Sequence, residues 1–388
     1  MGIYAEYLDQ KLDVPQLVKE RKNQLSRIAE LRGNNDILCY AANLDIQDPV
    51  TAILYADLLP IKDQLANLKG DALDVILETP GGVLEIAEDI VKYFRHKYKK
   101  VSFIIPGSAK SAGTIMAMSG DEILMDQSSS LGPIDAQLRW RDRVFSADAF
   151  LEGFRKIKEE VERTQSLNRA YIPILQNISP GEIEEAENSL LFSNKLVSNW
   201  LVTYKFRNWD KHSSNNQPVT EDEKRKRASE IAKALCDHKL WLTHGRSIKM
   251  KDLEEGLRLK ITDYSKSPDL DDAINRYYTL LQITFDMTNI YKVFETPISQ
   301  IYRFKIPPGA RPAPQKPIGE MVLIDFQCPN CKAINKIQAN LDPNIPIQKD
   351  AHPFPANDEF TCPNCGTQNN LKSLRFQVES ETKKRILS

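Results

Sequence analysis

Ser111 lies between Gly107-Ser108-Ala109-Lys110 and Ala112-Gly113-Thr114-Ile115-Met116-Ala117-Met118. The small residues before it read as a loop and the run after it has no helix breaker, so the serine stands where loop turns into helix. A hydroxyl there can attack a carbonyl carbon, and helix-start amides that lack an intrahelical partner can hold the oxygen that becomes negative. Upstream, Pro80-Gly81-Gly82 offers backbone that can approach closely and give a second donor. The alternative role for Ser111 is an N-cap, its oxygen accepting from the helix's own amides. A second reactive set is Cys328-Pro329-Asn330-Cys331 and Cys362-Pro363-Asn364-Cys365-Gly366, two knuckles thirty residues apart. Four thiolates from two tight turns suit tetrahedral zinc, which staples a fold this small. Four protein ligands leave no position for water, so that zinc is structural, with disulfides or a redox pair as the alternatives. His352 reads as a loop residue rather than a ligand, and Cys39 and Cys236 read as buried free thiols.

The elements that must hold Ser111 follow from periodicity. Leu73 to Leu77 and Val101 to Ile105 are apolar runs of strand length, and Val83, Ala87, Ile90, Val91 and Phe94 between them repeat at helical spacing. A strand, a helix and a strand in that order imply a parallel pair joined by a right-handed crossover. Each strand ends in a loop of small residues, and ligands in open α/β sheets gather outside the carboxyl ends of strands. Both loops are therefore expected to face one crevice.

Residues 14 to 32 predict an amphipathic helix, with Leu17, Leu25, Ile28 and Leu31 on one face and Lys19, Glu20, Arg21 and Lys22 opposite. Asp36 to Tyr40 reads as a strand, and Val50 to Leu68 as a helix interrupted near Pro60. The cluster Arg139-Trp140-Arg141-Asp142-Arg143 reads as an exposed hairpin-like loop, after which Ser146 caps a helix from Ala147 to Arg163. Ile172 to Lys205 is helical with Pro173 and Pro180 as punctuation; Ser213-Ser214-Asn215 belongs to a flexible loop, and Asp269 to Val293 is the last long helix. The prolines from Pro297 to Pro317 mark a semi-extended linker, and Met321 to Phe326 and Leu374 to Val378 read as strands beside the cysteines.

In order, Thr79-Pro80-Gly81-Gly82, Lys110-Ser111-Ala112-Gly113-Thr114, Gly120-Asp121-Glu122-Ile123 and Leu131-Gly132-Pro133-Ile134-Asp135-Ala136-Gln137 resemble the motifs of the Clp-fold serine peptidases. The branch resembled is the serine dehydrogenase proteinase family, similar to ClpP and signal peptide peptidase A, over roughly residues 30 to 290. The resemblance implies an α/β, ClpP/crotonase-like fold with a parallel sheet and helical elaborations, to which a small zinc-ribbon β domain is added. It also implies Ser111 as nucleophile, the amides of Gly82 and Ala112 as oxyanion hole, and a homo-oligomer. The expected segments are an N-terminal helix (1–33), a Clp-like domain (34–294), a Pro-rich linker (295–319) and the zinc ribbon (320–388).

The base departs from the family pattern. ClpP's triad histidine falls where this chain has Asp135, whereas Trp241-Leu242-Thr243-His244 with Asp252 to Leu257 and Ile261-Thr262-Asp263 resembles the closing segment of the fold. One reading exchanges the two, with His244 as base and Asp135 fixing its tautomer. Another takes a lysine, as signal peptide peptidase does, and Lys156 and Lys158 are nearest by sequence order. Lys110 is expected to point away from Ser111 as a solvated or substrate-facing charge.

The chain has 388 residues, 41% hydrophobic and 27% charged, with a formal net charge of −1. This is ordinary globular composition for two or three domains of roughly 150 residues, and it gives no electrostatic case for nucleic acid or membrane binding. No stretch approaches the ~20 apolar residues of a transmembrane helix. The amino terminus has early acids and no apolar signal core, and Glu6 stands where a myristoylation motif needs Ser or Thr. Six cysteines so used fit a reducing cytoplasm. The expected activity is an ATP-independent intracellular serine endopeptidase acting on a peptide or protein. The alternatives are an inactive scaffold whose zinc ribbon binds a protein or nucleic-acid partner, and a crotonase-type acyl-CoA enzyme.

Overall fold

The computed structural model describes residues 2–140, 143–212, 216–305, 321–382 and 384–387, with backbone only at 139, 140, 143 and 144. The chain divides into two compact units, Leu25–Asn275 with Val293–Ile301, and Met1–Gln24 with Arg276–Lys292 and Tyr302–Ser388. In this division the start of the chain groups with its carboxyl-terminal part, whereas the segments expected from the sequence follow its motifs.

Two helices open the chain, α1 (Ile3–Asp9) and α2 (Val14–Leu31). Leu17, Leu25 and Ile28 are buried as the helical period requires. Arg21, expected on the polar face, is instead fully buried, and its guanidinium donates to Thr284 Oγ1 and Tyr302 OH at 2.5 Å each. A buried guanidinium is tolerable because its donors are met.

The strands β1 (Asp36–Ala42), β2 (Ala72–Glu78), β3 (Lys100–Ile104), β4 (Ser108–Ala109), β5 (Glu122–Met125) and β6 (Ser130–Leu131) alternate with α3 (Leu58–Leu65), α4 (Leu84–Lys97) and α5 (Ala112–Met118). Then come the antiparallel pair β7 (Gln137–Trp140) and β8 (Arg143–Ser146); residues 141–142 of the expected exposed loop lie outside the described residues. The helices α6 (Ala147–Thr164), α7 (Ile172–Leu175), α8 (Pro180–Trp200), α9 (Glu221–Cys236) and α10 (His238–Trp241) lead to β9 (Thr262–Asp263) and α11 (Pro268–Met287). The strands β10 (Ile290–Glu295) and β11 (Gln300–Phe304) complete a sheet ordered β11-β10-β1-β2-β3-β5-β9. Its β1-β2-β3-β5-β9 run is parallel throughout. Val75, Leu77, Val101 and Phe103 bury against Ala87, Ile90, Val91 and Phe94 of α4, the crossover helix that periodicity called for.

Three local expectations change. Pro49–Thr51 and Tyr55–Asp57 form two 3₁₀ turns, and α3 starts at Leu58, so Pro60 sits in its first turn, where a missing N–H costs nothing. The last long helix stops at Met287 because 290–295 is recruited as a strand. The linker accordingly does not begin at 295: β11 is regular, while the proline run at 307–317 and the loop at 213–215 lie outside the described residues.

The carboxyl-terminal segment holds β12 (Met321–Gln327), β13 (Ile334–Asn340), β14 (His352–Pro353), β15 (Glu359–Thr361), β16 (Gln368–Asn370) and α12 (Lys372–Thr382). Val322, Ile324, Phe326, Ile337, Phe354, Phe360, Leu371 and Leu374 make its small core. The strand expected at 374–378 is α12, in which Leu374 and Val378 are one helical turn apart and bury together.

Candidate active site and four-cysteine cluster

The loops that leave β2 and β3 are hydrogen-bonded to one another. The Thr79 amide donates to Ser108 O at 3.0 Å and the Lys110 amide to Thr79 O at 2.9 Å, which extends parallel pairing to the foot of α5. A Cβ on Gly113 would come 2.4 Å from Thr79 Cγ2, so the glycine lets α5 start against this strand. Ser111 follows with φ 50° and ψ −116°, outside the regions an L-residue prefers. Its position is the N-cap of α5, yet its side chain accepts no helix amide. Among the described residues the hydroxyl has no hydrogen-bond partner; the capping alternative is therefore absent from this geometry.

Gly81 packs against Ser111, and Gly82 follows it. A Cβ on Gly81, at φ +103°, would lie 2.7 Å from Ser111 Cβ and 3.3 Å from the Ala112 nitrogen. Gly82, at φ +149°, is pressed on the backbone of Ile53, whose amide donates to Gly81 O at 2.7 Å and whose carbonyl accepts from Val83 at 3.0 Å. The amides of Gly82 and Ala112 donate to no acceptor among the described residues. Two amides without acceptors, on the two loops that meet at Ser111, are donors of the kind that stabilise an oxyanion formed by attack on a carbonyl.

Asp135 is almost fully buried and accepts from Ser146 Oγ at 2.6 Å and from Gln137 Nε2 at 2.8 Å. The serine predicted to cap α6 does so, accepting from Ala149 N at 3.1 Å while its own proton goes to Asp135. His244 Nδ1 lies 3.7 Å from Asp135 Oδ2 and 3.4 Å from Gln137 Nε2. A second imidazole that the sequence reading did not single out, His238, has its Nδ1 3.9 Å from the same oxygen. Its amide donates to Asp148 Oδ2 at 3.1 Å. No imidazole is hydrogen-bonded to Ser111 among the described residues.

The lysines fall elsewhere. Lys156 Nζ is 3.8 Å from Glu152 and Lys158 Nζ is 3.9 Å from Glu162, both solvent-facing pairs along α6. Lys110, expected as a solvated or substrate-facing charge, spends its ammonium on protein acceptors instead. It is half-buried, and its ammonium donates to Ser247 Oγ at 2.9 Å, Leu131 O at 3.1 Å and Arg246 O at 3.3 Å. Burial first, and then the nearby Lys249 charge, pull its pKa down to about 8.

The ligand atoms of Cys328, Cys331, Cys362 and Cys365 all lie within 4.8 Å of one another, with Sγ–Sγ distances of 3.6 Å for Cys328–Cys365 and 3.7 Å for Cys331–Cys362. A tetrahedral ion with metal–sulfur bonds of ~2.3 Å would set such edges at about 3.8 Å, so the four sulfurs fit a metal ion. The knuckles match: the amides of Cys328 and Cys362 donate to Ala333 O and Thr367 O, and Lys332 and Gly366 follow with φ 63° and 71°. Asn335 Nδ2 approaches Cys362 Sγ at 3.8 Å. His352 lies on β14 against the ring of Phe360.

Sequence reasoning missed Ile53, Gln137, Ser146 as a partner of Asp135, and His238. Ile53 carried no signal, since an isoleucine near a proline reads as core; the others are polar residues whose proximity only the fold creates.

Residues 61–185 match the family model of the ClpP-like SDH-type serine proteinases. Two uncharacterised proteins of Methanocaldococcus jannaschii are 32% and 39% identical to the chain over 88 and 70 residues, which is 23% and 18% of this chain. The chain covers 30% and 24% of those relatives, less than a third of either. Among solved structures, a serine-to-alanine mutant of the 1510-N membrane-bound stomatin-specific protease aligns at 13% identity and a TM-score of 0.30, covering 54% of this chain and 74% of that one. A probable enoyl-CoA hydratase/isomerase from Mycobacterium abscessus aligns at 15% and 0.28, covering 64% and 74%. The parallel sheet makes the fold α/β, the matched segment 61–185 is ClpP-like, and a small four-cysteine segment follows.

Proposed function

With residues 61–185 a ClpP-like SDH-type serine proteinase segment, we propose that this protein is an ATP-independent serine endopeptidase with Ser111 as its nucleophile. The observation that carries the reading is the Ser111 hydroxyl, held at a strained turn without a partner among the described residues and packed against Gly81, with the Gly82 and Ala112 amides free of acceptors there. Ser111 Oγ attacks the scissile carbonyl, its proton passes to the base, and the two amides hold the oxyanion. The amine then leaves with a proton, and water releases the acyl group from Ser111. His244 is the base and Asp135 fixes its Nδ1–H tautomer, a role the 3.7 Å separation supports once Gln137 yields. Lys156 and Lys158 are the weaker alternatives, as each lies beside a carboxylate of its own helix.

Zinc occupies the four-cysteine cluster as a structural ion, the ribbon serves as a platform for a partner protein, and the chain works as a homo-oligomer in the cytoplasm. Free rather than disulfide-bonded cysteines support the reducing compartment. No helix among the described residues is long and apolar enough to cross a membrane. One observation favours the scaffold instead: no base among the described residues is hydrogen-bonded to the Ser111 hydroxyl, although such bonds often tighten only when substrate binds.

Fluorophosphonate labelling of the purified chain, with the modified residue located by peptide mass, decides between them. We expect label on Ser111, none in Ser111→Ala, and a loss of labelling rate of about 100-fold or more in His244→Ala. A folded, metal-loaded chain that takes no label would end the peptidase reading in favour of the scaffold. Acyl-CoA turnover that survives Ser111→Ala would point to the crotonase-type chemistry.

A further inference from the structure

We propose that Lys110 is a positioning residue whose ammonium pins the segment after His244 and the backbone leading to Asp135 onto the loop that carries Ser111. The inference rests on the reading of Ser111 as nucleophile, and it concerns how the parts of that site are kept in register.

The three acceptors of the ammonium come from two segments distant in sequence. Leu131 O belongs to the end of β6, four residues before Asp135; Arg246 O and Ser247 Oγ lie two and three residues after His244. The backbone joins the same segments beside it, Leu131 and Ile248 exchanging amide bonds of 3.0 and 2.9 Å. Lys110 itself is held by its amide on Thr79 O, and its neighbour is Ser111. One side chain thus ties together the nucleophile's loop, the segment leading to Asp135 and the His244 turn.

The path of the side chain is built in. A Cβ on Gly132 would come 2.7 Å from Lys110 Cδ and 3.3 Å from its Cα, so the stem crosses the glycine of Leu131-Gly132-Pro133. The turn it restrains is exposed: Leu242 is at φ 66° and 70% exposed, and a side chain on Gly245 would meet nothing within 4 Å, while the Arg246 amide donates to Thr243 O at 3.2 Å and its guanidinium lies 6.0 Å from the Trp241 ring. Two acceptors are carbonyls and one a hydroxyl, and the charged group acting on the ammonium is Lys249, a repulsive one. Geometry rather than charge pairing therefore accounts for its place. An ammonium supplies three donors to three acceptors, a match that an apolar side chain of the same length lacks.

The test compares Lys110→Met, which keeps the stem and removes the donors, with Lys110→Arg, which restores donors. Hydrogen exchange at neutral pH is read for residues 243–248, with α4 as internal standard, beside the rate of fluorophosphonate labelling. We expect exchange in 243–248 to rise about 10-fold or more in Lys110→Met with α4 unchanged, labelling to slow by a similar factor, and Lys110→Arg to recover most of both. Ser247→Ala, which removes the shortest contact, should show the same pattern more weakly. Unchanged exchange in 243–248, or a rise shared equally by α4, overturns the inference. Wild-type chain that takes no label would sink the peptidase reading alone, because the exchange result decides the tether without any activity.

Discussion

At Ser111 the backbone stores strain in the region of φ 50°, ψ −116°, which costs of order 1–3 kcal/mol for a non-glycine residue. Nothing local repays it, since the side chain neither caps α5 nor bonds elsewhere among the described residues. Ser111→Gly should therefore raise the unfolding free energy by about 1 kcal/mol, after allowing for the glycine's extra unfolded entropy, while abolishing labelling. Urea unfolding monitored by circular dichroism gives the first number; lower stability would mean the serine makes a contact that this geometry lacks. Lys110 has the opposite economy, a satisfied side chain with a disfavoured charge. Its folded pKa of about 8 lies below the ordinary 10.5, so the unfolded chain binds more protons between these values and stability rises with pH across them. The rise should be missing from Lys110→Met when the two proteins are unfolded in urea at pH 7.5 and pH 10, values chosen to lie roughly on either side of the transition.

Among the elements, the pairing of loop with loop matters more than any single helix. Gly82 lies so close to Ile53 that a Cβ would sit 2.3 Å from its nitrogen and 2.5 Å from its oxygen, both backbone atoms with no rotamer to move. Gly82→Ala should cost about 3 kcal/mol and misplace the amide proposed for the oxyanion; a thermal melt within a degree or two of wild type would contradict this packing. At the other end of the strands, Arg32 bridges the buried Asp74 at 2.9 Å and Glu122 at 2.7 Å, which ties α2 to β2 and β5. The Arg32 charge holds the Glu122 carboxyl below its usual range even though burial pushes it up. Arg32→Met would leave Asp74 buried with only Asn35 as a partner, and the loss should be about 3–5 kcal/mol by chemical denaturation.

On the scale of the whole chain, the four-cysteine segment has a core too small to fold without its staple. The purified protein should carry one zinc per chain by atomic emission. A strong chelator should abolish the carboxyl-terminal fold while the parallel sheet of Leu25–Asn275 keeps its own melt. Thiol counting separates the cysteines further. Cys236 is buried, which pushes its thiol up to about 12, and Cys39 is fully buried. Chelation should expose four thiols to a disulfide reagent, and the remaining two should react only after denaturation. Six thiols reactive in the untreated protein would rule out an occupied cluster.

Periodicity alone placed β2, α4 and β3, because a buried parallel strand must be apolar and a crossover helix must bury one stripe. Short-range spacing likewise determined the serine at a helix start and the two knuckles, features whose parts lie within a few residues of each other. The chain's ordered motifs identified its fold. Tertiary structure decided what sits beside what: Ile53 against Gly82, Ser146 and two histidines around Asp135, Lys110 over Gly132, and Arg21 buried on a helix that reads as polar there. It also turned 290–295 into a strand and 372–382 into a helix, as each segment took the form that buried its apolar side. These outcomes depend on contacts between segments up to hundreds of residues apart. A local pattern states which side of an element is apolar, and only packing settles what that side, or an exceptional polar group on it, will meet.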